Sequence, residues 1–499
     1  MGDGRLDGTA RLAEMRAAME GRLYADSMAA IVRRWAEETS ERLCVADPDE
    51  AMTYRAFWRR VAEKATALRT LGIGPGDRVL ARAAQRGDFL ALHLATHLLG
   101  GVFIPAAREL PAGGFSAMAR EMGPKLALED SRLESGGAYV PASMPASGDT
   151  ATILYTTGTT GASKGIVLTH RAEVAVAQNV FYGTAMEPDT VELVPMPISH
   201  SYGLRHVFGL LLGGRSVVLC DGVAMAGDFF DLMDRYGVNA LSLTPSAVNV
   251  LRRVSGDRLG NYAGRLRYIQ LGTAGVDPTM KATLRALLPH SRLYQYYSST
   301  EAGCACIQDF SHAADSRRVG RPAVNACFEI VDDAGRPMRS APERWGRIAC
   351  LGPMNMSGYD GDPELTRRTM AGGYVISGDI GYLDAEGYLC FVARAGDIIN
   401  VGGFKVAPQE VEAAAMATGW LVECACCGEP DALLGQTPAL YAVRKPDAAV
   451  GPGEITAALS KVLEPFKVPR RVVFVRAVPR NRLGKLQRDR CREAEEVRP

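Results

Sequence analysis

Thr156, Thr157, Gly158, Thr159, Thr160 and Gly161 follow one another directly, and Lys164 stands three residues further on. The stretch ILYTTGTTGASKGIVLTH, residues 153–170, breaks from apolar residues into hydroxyls, glycines and one cation. Residues of these types, close together, grip oxyanions. Backbone N–H groups of a Gly-rich loop point into its concavity, hydroxyls add donors, and Lys adds a full charge. The strand-like run Ile153–Tyr155 precedes the loop and a helical pattern begins near Glu173, an arrangement that suits a polyphosphate at a helix start. The spacing is not that of a Walker A loop, which needs Gly-Lys-Ser/Thr after a second Gly. Here Ser163 precedes Lys164 and Gly165 follows it. On residue types alone two readings stand, a phosphate clamp and a polar surface turn.

Three further places carry chemistry-bearing residues. Cys424 and Cys427 have metal-like spacing in WLVECACCGEPD, but no second Cys or His pair sits nearby to complete four ligands. The run reads as a buried strand ending at a Gly-Glu-Pro-Asp turn, its thiols packed as small hydrophobes. Lys485, in RNRLGKLQRDR, reads by itself as a solvated cation on a basic tail. Gly402-Gly403, inside DIINVGGFKV, is a hairpin signal.

The elements that must position these residues alternate. TYRAFWRRVAEKATALRTLG, from Thr53, has apolar positions at helical spacing and a Gly stop. GPGDRVLA follows as turn and strand, and Gly100–Pro105 as a short buried strand. After the loop come a helix near Glu173–Val180, a strand near Ser216–Leu219, a helix near Phe229–Tyr236 and a strand near Ala240–Thr244. Strands alternating with helices predict a mostly parallel sheet covered on both faces. After about Val319, short strands with Gly and Asp turns predict a small antiparallel or barrel section. APQEVEAAAMA predicts a helix with Pro408 in its first turn and Glu410 and Glu412 at its positive end.

With 499 residues and 47% hydrophobic content, the chain is long enough for two or three domains and a large core. A net charge of +1 gives no reason to expect nucleic acid. No run of 18 apolar residues predicts a membrane span, and the N-terminus lacks a signal-peptide apolar core. An odd count of 11 cysteines fits reduced thiols. A cytoplasmic location is expected.

YTTGTTGASKG resembles the nucleotide loop of the adenylate-forming superfamily: acyl-CoA ligases, luciferases and nonribosomal peptide adenylation domains. Other stretches resemble the family in family order: TYRAFWRRVAEKATALRTLGIGPGDRV, LGTAGVDP at 271–278, QYYSSTEAG at 295–303, VGRPAVNACFEIVD, GPMNMSGY and GGYVISGDIGYLDAEGYL. ARAGDIINVGGFKVAPQEVE resembles the start of its second domain, and PRNRLGKLQR at 479–488 its catalytic-lysine motif. Together they cover roughly residues 50–490. The resemblance implies an α/β fold. Residues 1–395 would form a large domain of parallel-sheet αβ layers plus a small barrel-like β section. Residues 396–499 would form a small mobile α+β domain carrying the catalytic lysine.

It also implies roles. ATP and a carboxylic acid would give an acyl-adenylate and pyrophosphate, and a thiol would then displace AMP. Thr156, Thr157, Gly158, Thr159, Thr160, Gly161 and Lys164 would hold the β- and γ-phosphates. Thr300 would contact the α-phosphate, and Glu301 would bind Mg²⁺, which prefers oxygen ligands. Tyr297 would stack on adenine, with Gly272, Thr273 and Ala274 along its edge. Asp379 would accept from the ribose hydroxyls, with Arg394 beside it. Lys485 would reach the α-phosphate and the attacking carboxylate. After a domain rotation the Gly402-Gly403 hairpin would replace it and admit a pantetheine arm, from coenzyme A or from a carrier protein.

His200 resembles the gate between acyl pocket and thiol tunnel, with packing in the core as its bland alternative. Ser201, Tyr202, Gly203, Leu204 and Tyr296 would line the acyl pocket. Peptide adenylation domains place an Asp after the aromatic residue here to anchor an ammonium. This chain has Ser201 after His200, and no acidic residue between Glu192 and Asp221. An α-amino acid is therefore not expected, and fatty and aryl acids both remain. No carrier segment follows Arg488, so the acceptor is expected to be separate: coenzyme A first, a carrier protein second, an amine third. Lys485 and Glu301 are both present, which argues against a non-catalytic relative. The chain departs from the family at Gly396, where the hinge usually has Asp or Lys, and at Arg347 and Ser377, neither of which is expected to touch a proposed role.

Overall fold

The computed structural model describes residues 6–133, 137, 139, 144–157, 163–312, 317–480 and 486–497, without the side chains of 156, 157 and 163. These residues gather into two compact units. The first runs to Glu329 and includes Ala349–Ile376; the second holds Ile330–Ile348 and the chain from Ser377. Gly396 falls inside the second unit.

The first unit carries two sheets. In one, Leu126–Leu128, Arg78–Arg82, Val102–Ala106 and Thr150–Thr157 run parallel. Ser163–Thr169 and Gly358–Tyr359 join them antiparallel. In the other, Arg292–Ser299, Tyr268–Leu271, Ala240–Leu243, Val191–Val194, Ser216–Leu219 and Leu43–Ala46 are parallel neighbours. Ser216–Leu219, Ala240–Leu243 and Tyr268–Leu271 are buried at every position, as strands covered on both faces must be. Of these, Ser216–Leu219 and Ala240–Leu243 follow the expected strands closely. So does the helix Tyr54–Thr70, whose Phe57, Val61, Ala65 and Leu68 are buried on one face and whose first turn is capped by Thr53. Gly87–Leu98 and Ser201–Leu212 are apolar nearly all round and run through the interior.

One expectation fails at the Gly-rich loop. It does not join a strand to a helix. Ser163–Thr169 turns back along Thr150–Thr157, pairing Thr156 with Lys164 and Ile153 with Val167. The helix His170–Gly183 starts a whole strand later, capped by Thr169. The β-branched residues of GIVLT form this extra strand, so any anion here meets a hairpin backbone rather than a helix dipole.

Beneath the second sheet lies a buried carboxylate. Glu192 accepts from Tyr268 Oη at 2.7 Å, from Gln270 Nε2 at 2.9 Å and from the Ser242 hydroxyl. Burial pushes it up to about 7, against these donors. A carboxyl raised in the folded state favours folding at low pH and loses that advantage as pH rises through about 7. Replacing Glu192 by Gln should therefore flatten the fall in stability between roughly pH 4.5 and 7, by about 3 kcal/mol across the window. Urea melts of both proteins at a series of pH values read this; parallel curves refute it.

In the second unit, residues 379–383 of the strand Tyr374–Leu383 pair antiparallel with Leu389–Arg394. A separate sheet holds Phe404–Val406, Ile399–Val401, Gly435–Arg444 and Leu421–Asp431, with Arg471–Phe474 parallel to Gly435–Arg444. The helices Pro408–Ala417 and Pro452–Leu459 supply Val411, Ala415, Ile455 and Leu459 to its core. Cys426 and Cys427 are buried and Cys424 half-buried on Leu421–Asp431, as packing rather than metal binding requires. The turn expected at Gly428–Asp431 is instead strand, in register to Asp431 opposite Gly435. Pro430 is tolerated because this strand lies at the sheet edge. Glu412 is a second correction: it serves no helix end but accepts from Arg488 Nη2 on both carboxylate oxygens at 2.9 Å.

Candidate functional site

The first unit brings several of the singled-out residues together. Lys164 leaves its strand with Nζ 5.7 Å from the centre of the Tyr359 ring. Tyr359 Oη donates to Glu301 Oε1 at 3.1 Å. Burial first, and the Glu301 charge second, push the phenol above its ordinary range, so it stays protonated and remains a donor. Thr300, beside Glu301, has Oγ1 3.1 Å from Ser201 Oγ. A cation, a phenol, a carboxylate and two hydroxyls thus follow one another across the ends of separate elements.

Local folding fixes each member. Thr300 and Glu301 sit in the turn between the antiparallel strands Arg292–Ser299 and Gly303–Asp309. Gly303 takes φ +61, and a side chain there would strike Val176 and Met354, so glycine is required. Ser299 Oγ accepts from Ala302 N, and Glu301 O accepts from Met356 N at 2.8 Å. Tyr359 is held by its strand pairing to Ile166 and by its neighbour Asp360, which forms two bonds to Arg78 at 3.0 and 2.8 Å.

Gly272, Thr273 and Ala274 follow the strand Tyr268–Leu271. A Cβ on Gly272 would run into the Tyr202 ring. Thr273 is left-handed at φ +71, a costly conformation for a β-branched residue, and its Oγ1 is buried without a hydrogen-bond partner. A strained residue with an unused hydroxyl is what a ligand edge would engage. Tyr297 is half-buried, its ring 6.5 Å from that of Phe328. His200 is the half-buried N-cap of Ser201–Leu212, its N–H donating to Pro197 O at 3.2 Å.

Tyr202 and Tyr296 have spent their hydroxyls inside the protein. Tyr202 donates to Leu243 O at 2.8 Å, and Tyr296 donates to Gln270 Oε1. What they can offer a ligand is ring surface. Gly203 and Leu204 are buried beside them.

In the second unit, strand register sets Asp379 opposite Arg394, with Oδ1 3.8 Å from Nε. Ser377 Oγ accepts the Asp379 N–H at 3.1 Å, and Arg347 donates to Ser377 O at 3.2 and 3.3 Å. The two sequence departures therefore do touch a candidate residue: both support the backbone around Asp379. Gly402 and Gly403 take φ +58 and +93, a turn that needs glycine, and Asn400 Oδ1 accepts from Gly403 N. Lys485 lies outside the described residues, as do Gly158, Thr159, Thr160 and Gly161, and only the backbone of Thr156 and Thr157 is described. Flanking Lys485, Arg480 bridges to Leu486, and Arg488 binds Asp397 and Glu412.

Residues 32–137 and 129–360 match the AMP-binding enzyme family, and residues 410–485 match its C-terminal domain. The chain belongs to the AMP-binding enzymes. It is an AMP-forming acid–thiol ligase of the acyl-CoA synthetase type. Among relatives of this AMP-binding enzyme, 4-coumarate–CoA ligase-like 6 of Oryza sativa subsp. japonica is 28% identical over 88% of this chain and 81% of its own length. The protein of that name in Arabidopsis thaliana is also 28% identical, over 71% of this chain and 64% of its own length. The solved structure of ATP-bound MatB from Rhodopseudomonas palustris is 25% identical and superposes with a TM-score of 0.83, covering 93% of this chain and 98% of MatB.

Tyr359 is the site residue that residue types did not single out in this AMP-binding enzyme. Its signal is present, an aromatic followed by Asp at the end of GPMNMSGY. Its partners, Lys164 and Glu301, are distant in sequence and meet it only through strand pairing.

Proposed function

We propose that this enzyme activates a fatty or aryl carboxylic acid with ATP and passes the acyl group to coenzyme A. The observation that carries the reading is the meeting of Lys164, Tyr359 and Glu301 beside Thr300. A cation and a carboxylate are held apart by a donor, which suits a triphosphate with its metal. The residues present fit both groups. Thr273 Oγ1 is a buried hydroxyl with nothing to bind, and Glu301 with the Thr300 hydroxyl offers the hard oxygens that Mg²⁺ takes. When bound, Mg²⁺ would neutralise phosphate charge.

In this reading Thr156, Thr157, Gly158, Thr159, Thr160, Gly161 and Lys164 hold the departing pyrophosphate, and Thr300 donates to the α-phosphate. Tyr297 and residues 272–274 hold adenine. Asp379, kept in place by Ser377 and Arg394, accepts from the ribose. A carboxylate oxygen of the acid attacks the α-phosphorus, and the bond to the bridging oxygen breaks. In-line transfer of this kind needs charge neutralisation and positioning more than covalent chemistry, the part assigned to Lys485. The CoA sulfur then attacks the acyl carbon and AMP leaves, with His200 as the gate and Gly402-Gly403 beside the pantetheine arm. Residues 1–395 serve as the large domain and 396–499 as the mobile one.

No helix among the described residues is long and apolar enough to cross a membrane. The cysteines are all unbridged, which supports a reducing compartment, the cytoplasm.

The test is a product assay with ATP, Mg²⁺ and a panel of fatty, aryl and short acids, with and without CoA. Pyrophosphate plus one acyl-CoA mass is expected and names the acid. Pyrophosphate without a CoA thioester overturns the acceptor. Tyr359→Phe should raise the KM for ATP about five- to tenfold with kcat little changed, the scale of one net hydrogen bond. An unchanged KM removes Tyr359 from the nucleotide site.

A further inference from the structure

The first unit buries a polar cluster that the proposed reaction does not use. His93 and His97 lie one turn apart on the helix Gly87–Leu98, facing Thr152 on its strand and Glu173 on the helix His170–Gly183. His93 and His97 are wholly buried, and Glu173 is 3% exposed.

Hydrogen bonding fixes where the protons are. His97 Nε2 lies 3.0 Å from the carbonyl oxygen of Ala151, which can only accept, so Nε2 carries the hydrogen. Thr152 Oγ1 donates its one hydrogen to Glu173 Oε1 at 2.6 Å. It must then accept from His93 Nε2 at 2.9 Å. Each ring therefore has a hydrogen on Nε2, which leaves Nδ1 as the nitrogen available to a ligand.

Neither Nδ1 has a hydrogen-bond partner, and Glu173 Oε2 has none. His97 Nδ1 and Glu173 Oε2 face each other at 3.7 Å, two acceptors with no donor between them. One ligand atom from each of His93, His97 and Glu173 lies within 4.8 Å of the others. Two buried ring nitrogens and a carboxylate oxygen without hydrogen-bond partners, in a dry interior, would be satisfied by a cation.

We propose that His93, His97 and Glu173 form a buried structural site for a divalent transition ion, with Zn²⁺ the fitting class. Two imidazoles and a carboxylate suit such an ion, and ligand atoms about 2.0–2.2 Å from it, hence about 3.4 Å from one another, require separations of up to 4.8 Å to close by about 1.4 Å. The outer partners have the form metal sites use: each ligating ring donates its other N–H, one to a backbone carbonyl and one to a hydroxyl that orients the carboxylate. His170 stands next for a fourth position. Its ring centre is 4.8 Å from that of His97, and neither of its nitrogens has a partner. The site is closed to solvent, so the ion enters during folding. Thr152 belongs to the strand that runs on to Thr156 and Thr157, so the ion braces the base of the phosphate hairpin.

The full chain, expressed with added Zn²⁺ and dialysed against EDTA, is expected to retain about one metal per chain by elemental mass spectrometry, and to release it to a chromophoric chelator only on unfolding. Glu173→Gln keeps the acceptor for Thr152 and removes the charge; its metal content should fall at least about fivefold. Less than about a tenth of an ion per chain in the parent protein, both as expressed and after refolding in Zn²⁺, overturns the site and leaves a proton on Glu173 as the buried cation. Undiminished metal in Glu173→Gln with native circular dichroism also overturns it, by placing the ion elsewhere. Should that variant fail to fold, the release experiment on the parent protein decides alone.

Discussion

Lys485→Ala should form acyl-adenylate at least about 10²-fold more slowly than the parent enzyme, the scale for removing one donor aimed at transition-state charge. The chain around position 485 shows why a lone lysine would be specified here. Arg480 and Leu486 pair across the ends of the stretch, Gln487 N donates to Pro479 O at 2.9 Å, and Arg488 is locked two residues later. Pyrophosphate release with the best acid should collapse, while conversion of a synthetic acyl-adenylate to thioester should persist, because that step does not use Lys485 in the proposed scheme. Parental pyrophosphate release in the variant would return Lys485 to the surface.

The second large effect concerns stability. Arg488→Ala should destabilise the second unit by about 2–4 kcal/mol, because it strands two carboxylates. Arg488 binds Glu412 at 2.9 Å and Asp397 at 2.8 Å, and also donates to Cys426 O at 3.2 Å. Burial pushes Glu412 up, and the Arg488 charge is the first force opposing it. The cost stays below that of a wholly dry pair because Arg488 and Glu412 remain 14% and 16% exposed. The paired change Arg488→Leu with Glu412→Leu should recover part of the loss, since it removes one of the two stranded carboxylates and leaves only the more exposed Asp397 without its cation. Urea melts of the three proteins decide it. A single variant within about 0.5 kcal/mol of the parent would show the network to be inert.

Much of this arrangement was legible before any coordinates. Ser216–Leu219 and Ala240–Leu243 are short, mostly apolar runs, and Tyr54–Thr70 carries its stripe behind the Thr53 cap, so local pattern sufficed. The hairpin at the Gly-rich loop was not legible, because GIVLT runs straight into a helix and no turn residue marks the strand between. Candidate site residues were found where glycines and hydroxyls cluster in sequence. Tyr359, the Ser377–Arg347 support of Asp379 and the Arg488 network escaped, because each depends on partners tens to hundreds of residues away. His93 and His97 lie on an apolar helix, and their unpartnered nitrogens beside Glu173 emerge only in the folded chain.

Burial of the thiols has a practical consequence at Gly396. Nine of the eleven cysteines are buried and the other two are half-covered, and burial pushes Cys220 up to about 12. Native thiols will thus react slowly with maleimide dyes. A Cβ added at Gly396 meets nothing within 4 Å, and its backbone is not left-handed, so a cysteine fits there without strain. Gly396→Cys would then accept a single fluorophore on an otherwise unmodified chain. The proposed pivot of the catalytic cycle would then report its own rotation during turnover.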